Sequence, residues 1–200
     1  MWGRPHAVNR TEHGYAVPDV RFDEIENVLA SLDLLAATAP LVKKRCYRSL
    51  WKWMIIAAHD AVQGAIVCAI ADTTGTNVLS EKSARKMLDF LEGTSTEYPS
   101  EFLADFKTLT NRANVALLPQ DAKDIRMLHD FRNGFVHFTP KGWTIEGAGL
   151  PRITDAALRL VERLMQSDGV RYRLTGNQQR RVQDNIKAVR TALDIKVAPQ

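Results

Sequence analysis

The sequence predicts an all-α, single-domain bundle of about six to seven helices. Three observations predict it. Apolar residues recur at three- and four-residue steps in successive segments. Proline and glycine fall mostly between those segments rather than inside them. Alternation of strand type is confined to one short Gly-rich stretch, residues 140–149. The connections are short, which favours antiparallel neighbours.

The chain has 200 residues, 45% of them hydrophobic and 25% charged. That is enough for one domain with a substantial core. Residues 1–20 mix Pro, Gly, His, Asn and Arg without period and are expected to form an irregular arm. The helical domain then occupies 21–200.

Phe22, Ile25, Val28, Leu29, Leu32 and Leu35 predict an amphipathic helix over about 22–38, with acids Asp23, Glu24 and Glu26 at its favourable end. Pro40 closes it or opens the next. From about Val42 to Ala71 the sequence predicts one long central helix, apolar nearly all round in its second half. Its start gathers Lys43, Lys44, Arg45, Arg48 and Lys52. Cations in a first turn face the positive end of the helix dipole, at a cost of about a few tenths of a kcal/mol each. Lys44, Arg48 and Lys52 would share one face and suit a phosphate-tracking stripe; a solvated face is the plainer account.

Ser80 is expected to cap a helix through Leu91, and Pro99-Ser100 to open another that buries Phe102, Leu103, Phe106 and Leu109. Pro119 marks the first position of the next, which Pro140 ends. Residues 140–149 predict a Gly-rich loop or small hairpin with Trp143 as a core anchor. Pro151 or Thr154 starts a further helix. Thr175 with Gln178 forms a capping box before Val182, Ile186, Val189 and Leu193, with Arg180, Arg181, Lys187 and Arg190 facing outward.

The two cysteines, Cys46 and Cys68, would lie roughly 33 Å apart on one helix, too far for a disulfide. They are expected to be buried apolar residues of a reduced, cytoplasmic protein. Residues 53–71 are apolar, but His59, Asp60 and Gln63 interrupt them, so a buried helix is expected there and no membrane span. A net charge of +4 permits nucleic-acid binding without requiring it. No metal-ligand spacing, no Ser/His/Asp order and no Gly-rich phosphate loop is present, so no metal and no cofactor is expected.

Chemistry concentrates in Leu128-His129-Asp130-Phe131-Arg132-Asn133-Gly134-Phe135-Val136-His137. On a straight helix Arg132 and His137 lie about 140° apart, so both can border one cleft only along its flank. Asn133, Gly134 and His137 each fall within about 60° of Asp130, which places Asp130 to orient the imidazole. Gly134 costs about 1 kcal/mol against Ala in a helix, so a close approach of backbone or ligand would account for it. Histidine can move a proton near neutral pH, and arginine can hold a phosphate by two hydrogen bonds. Metal-free RNA cleavage is the chemistry suggested. The plainer account pairs Arg132 with Asp130 or Glu146 and uses His137 as a helix cap. His59 and Gln63, four apart on the central helix, form a second polar cluster. It is either a satisfied buried network or a support for the first site, and Gly64 beside it would let the central and motif helices pack closely. His129 would join the cleft or lie at its edge.

Arg132-Asn133-Gly134-Phe135-Val136-His137 resembles the Arg-polar-x3-His motif of HEPN domains. His59-Asp60-Ala61-Val62-Gln63-Gly64-Ala65 and residues 138–146 look like segments of uncharacterised bacterial HEPN-like proteins. The resemblance covers about residues 22–165 and omits the last helix. It implies a homodimeric α-bundle with motif helices facing each other. It further implies a metal-independent ribonuclease of a toxin–antitoxin or defence system, or a non-catalytic module that binds a nucleotide, RNA or a protein such as an antitoxin. The motif positions carry over to Arg132, Asn133 and His137.

Overall fold

The computed structural model describes residues 19, 21–137, 140 and 142–195, without the side chains of residues 45 and 46. The expected N-terminal arm therefore lies almost wholly outside the described residues. The described chain is an all-α bundle: α1 (Glu24–Val42), α2 (Trp51–Ile70), α3 (Glu81–Leu91), α4 (Phe106–Ala113), α5 (Pro119–Val136), α6 (Leu150–Met165), the single turn α7 (Asp168–Arg171) and α8 (Gly176–Ala192).

The central helix α2 packs against α1, α4, α5 and α6, and α8 closes over α1 and α6. Its composition explains its place. Met54, Ile55, Ala58, Val62, Ala65 and Ile66 are buried on several sides at once, and the alanines let neighbours approach. Gly64 serves α1: a Cβ there would meet Val28 Cγ2 at 2.8 Å. The close approach expected from this glycine is thus to α1 and not to the motif helix. Cys68 is buried, which pushes its thiol up to about 12. By length and composition α1 and α2 could each cross a membrane; here most of the apolar stretch of α2 is buried in the bundle.

The long helix expected over 42–71 divides. α1 runs through Pro40 to Val42, the backbone turns extended at Lys44, a 3-10 segment spans Arg45–Leu50, and α2 begins at Trp51. The cations at 43 and 44 consequently follow the negative end of α1 instead of opening α2, which reverses the sign of the dipole term. Lys44, Arg48 and Lys52 do not share one α-helical face, because the four-residue spacing fails across an extended residue and a three-residue turn.

The helix expected from Pro99 begins only at Phe106. Asp105 caps it by accepting from Thr108 N at 3.0 Å, and residue 103 is extended in an antiparallel bridge with Leu79. Arg112 donates to the carbonyls of Asn77 and Leu79 and ties α4 to that bridge. Among the described residues of 140–149 there is no hairpin; a 3-10 turn at Gly147–Gly149 leads into α6. The Ser80 cap and the Thr175–Gln178 capping box form as expected.

Two arginines expected to face outward on α8 face inward. Arg181 pairs with Glu26 and Asp33 of α1, and Arg190 with Asp155 and Glu162 of α6. Carboxylates on those helices leave each guanidinium a partner that helical periodicity cannot reveal.

A polar cluster between the central helix and the motif helix

Pro119 occupies the first turn of α5, where its missing N–H costs nothing. Ile125 and Leu128 are buried, and Phe131 and Phe135 are half-buried against the core. This orientation turns His129 toward α2. His59, 1% exposed, meets it there: His59 Nε2 lies 2.9 Å from His129 Nδ1. The Asp105 cap sets Phe106 beneath both rings. Its centroid is 4.7 Å from that of His129, nearly parallel at 9°, and 4.5 Å from that of His59.

One turn along α5, Asn133 Nδ2 lies 3.0 Å from His129 Nε2, and Arg132 Nη1 donates to Asn133 Oδ1 at 3.1 Å. A continuous string of side chains therefore joins Arg132, Asn133, His129 and His59. Two buried nitrogens in it, Arg132 Nε and His59 Nδ1, have no hydrogen-bond partner. Among the described residues Arg132 forms no ion pair, so the expected partners Asp130 and Glu146 are not engaged with it. Burial lowers the pKa of His129, His59 lowers it further, and Asp130 opposes them.

His137 ends α5. Its backbone N–H donates to the Asn133 carbonyl at 2.8 Å, and its side chain is exposed. No side-chain hydrogen bond joins it to Asp130, which is also exposed. The structure brings Arg132 and Asn133 together with His129 and His59, and leaves His137 at the helix end beside them.

Gln63 faces elsewhere. It lines a cleft of about 220 Å³ with Glu24, Asn27, Asp60 and Leu103, on the α1 side of α2. Asp60 borders this cleft and its carboxylate lies 3.8 Å from His59 Nδ1.

The approach that Gly134 permits is by a side chain of the same chain. A Cβ at 134 would lie 3.1 Å from Trp143 Cη2, and Trp143 packs on Phe135 at 4.8 Å between centroids. Trp143 is 41% exposed, so it covers the motif helix from outside and is no core anchor.

Arg48 and Lys52 line a cleft of about 570 Å³ with Trp51, Phe135 and Ile145, near the C-terminal end of α5. Lys52 Nζ also sits 5.2 Å from the centre of the Trp53 ring. Lys44 is exposed and does not line it. No group of three or more His, Cys, Asp or Glu side chains among the described residues is placed to hold a metal.

Sequence reasoning placed His59 beside the motif helix as one alternative and His129 either in the cleft or at its edge. It missed Phe106 as the platform for both rings. The signals were faint: two histidines and a phenylalanine at core spacing in three separate helices.

Fold and cluster together define an all-α helical bundle with a string of polar side chains behind an arginine, Arg132, that pairs with no acid among the described residues. Comparison of the chain with family models, with curated proteins and with solved structures found no match.

Proposed function

We propose that the chain is a metal-independent endoribonuclease of HEPN type, acting as a cytoplasmic homodimer and serving as a toxin or defence effector with an antitoxin protein as partner. One observation carries this reading. Arg132 is held by an amide and has no carboxylate partner among the described residues, whereas Arg152, Arg159, Arg173, Arg181 and Arg190 are each paired with an acid. An oriented guanidinium without a counter-charge suits a phosphate.

In this reading Arg132 holds the scissile phosphate and offsets its growing negative charge. Asn133 fixes the guanidinium. The 2′-oxygen attacks phosphorus as its proton passes to one His137. The bond to the 5′-oxygen breaks, and that oxygen takes a proton from His137 of a second copy. Arg48 and Lys52 would track the backbone beyond the cut. RNA incubated with the protein in EDTA should yield 2′,3′-cyclic phosphate ends, and His137→Ala should abolish them. Cleavage that survives in that variant rejects the reading.

A second reading, a non-catalytic module that binds RNA or a nucleotide, is favoured by one feature. Both polar atoms of the Asn133 side chain are already committed, to Arg132 and to His129. It predicts no cleavage, but a thermal shift with AMP or RNA that Arg132→Ala removes.

A further inference from the structure

The hydrogen bonds around Asn133 admit one consistent polarity. A guanidinium cannot accept, so the Asn133 atom facing Arg132 is its carbonyl oxygen. The amide nitrogen then points at His129 Nε2 and, as a donor, needs that nitrogen bare. A neutral His129 must carry its proton on Nδ1 and donate it to His59 Nε2. His59 in turn carries its proton on Nδ1, toward Asp60 Oδ1 at 3.8 Å. Every link runs one way, from Arg132 to His59.

We propose that His129 and His59 are positioning residues of the α5 site: neutral and protonated on Nδ1, they orient Asn133 and through it Arg132, and protonation of His129 releases both. The proposal deepens the nucleic-acid reading of the same site, and part of its test needs no ligand. A proton on His129 Nε2 would face the Asn133 amide, donor against donor. The amide must then turn and withdraw its oxygen from Arg132.

The groups facing His129 come from three helices. His59 lies on α2, with Asp60 behind it on the side of His59 Nδ1; Asp105 and Phe106 lie at the start of α4, and Asp130 and Arg132 on α5 itself. Burial outweighs the two nearby acids and holds the ring below its ordinary value of 6.5. The lowered native pKa means that the unfolded chain binds the proton first. Stability therefore falls as pH drops from about 6.5 toward the native value, and the string is intact above that window.

Nitrogen-15 NMR of the labelled protein tests this directly. Above pH 7 both rings should show the Nδ1–H form, the rarer neutral tautomer of histidine in water. On acidification, the Asn133 side-chain amide and the Arg132 Nε–H should shift together with the protonation of His129. In His129→Gln the side-chain amide can accept from Asn133 and donate to His59 but cannot titrate, so the joint transition should vanish. His129→Phe keeps the stack on Phe106, removes both hydrogen bonds, and should loosen Arg132 at every pH. An Nε2–H form at either ring overturns the proposal, as does an unchanged transition in His129→Gln; should the Phe variant not fold, the Gln variant decides.

Binding of a short 2′-O-methyl oligoribonucleotide in EDTA gives the functional arm. Below the transition the wild type should bind about tenfold more weakly than His129→Gln, the loss expected for one misplaced charge-assisted contact. Failure of the wild type to bind at any pH overturns the nucleic-acid reading alone, since the NMR transition requires no RNA.

Discussion

Two faces of the bundle treat arginine differently. Where α8 and the turn before it meet α1 and α6, and where α5 meets α6, several guanidinium groups are neutralised by acids. Arg173 meets Glu24, Arg181 meets Glu26 and Asp33, Arg190 meets Asp155 and Glu162, and Arg152 meets the fully buried Asp124. Two to three turns further along α5, Arg132 meets an amide backed by two imidazoles. At Asp124 and at Arg190–Asp155, where the pair is largely buried on at least one side, the first arrangement locks helices together, because breaking such a pair leaves a charge without water or partner. The second keeps a positive charge in place without cancelling it. Arginines that serve the scaffold are committed to acids or, like Arg112, to backbone carbonyls; Arg132 is held by an amide alone and keeps its charge available to an anion.

The comparison can be broken most strongly at the α5–α6 contact. Asp124 is 0% exposed, and Arg152 donates to both of its oxygens at 2.5 and 2.6 Å. Arg152→Ala leaves that carboxylate with Gln120 alone. A loss of about 2–3 kcal/mol in urea unfolding is expected; Arg152 is itself half-exposed, so the loss falls short of the roughly 3–5 for a fully buried pair. A change under about 1 kcal/mol would show that water already serves Asp124, and the contrast between the faces would lapse.

Arg132→Leu should behave in the opposite sense. With no acid to abandon, stability should move by less than about 1 kcal/mol, while oligoribonucleotide affinity falls about tenfold or more. A large destabilisation with binding intact would assign Arg132 to the scaffold.

The smallest effect is expected at Gly134. Alanine there gains about 0.5–1 kcal/mol of helix stability. It also presses on the Trp143 ring at 3.1 Å. The two should nearly cancel, leaving a melt within about 0.5 kcal/mol of wild type and a red-shifted tryptophan emission. In a Trp143→Ala background the same substitution should stabilise by the full helical gain, which isolates the indole as the reason for the glycine.

Part of the site was legible in the sequence. Pro119 located the start of the motif helix, and its apolar spacing showed which side is buried. His59 stood out as a polar residue on an apolar helix. The partner of each polar group was not legible. His59 and His129 are 70 positions apart, and Arg181 and Asp33 are 148 apart. Periodicity assigns a residue to a face of its own helix but not to the helix it will meet.

Local chemistry in this chain determined the elements: apolar residues at helical steps, Ser80 and Thr175 as caps, and Pro119 in a first turn. Each acts within about one turn, so each can be read from neighbours in sequence. Tertiary structure decided the break before Trp51, the inward turn of Arg181 and Arg190, and the covering of Gly134 by Trp143. It also decided that His59 meets His129. These depend on which helix faces are buried together, a choice made by the packing of the whole core.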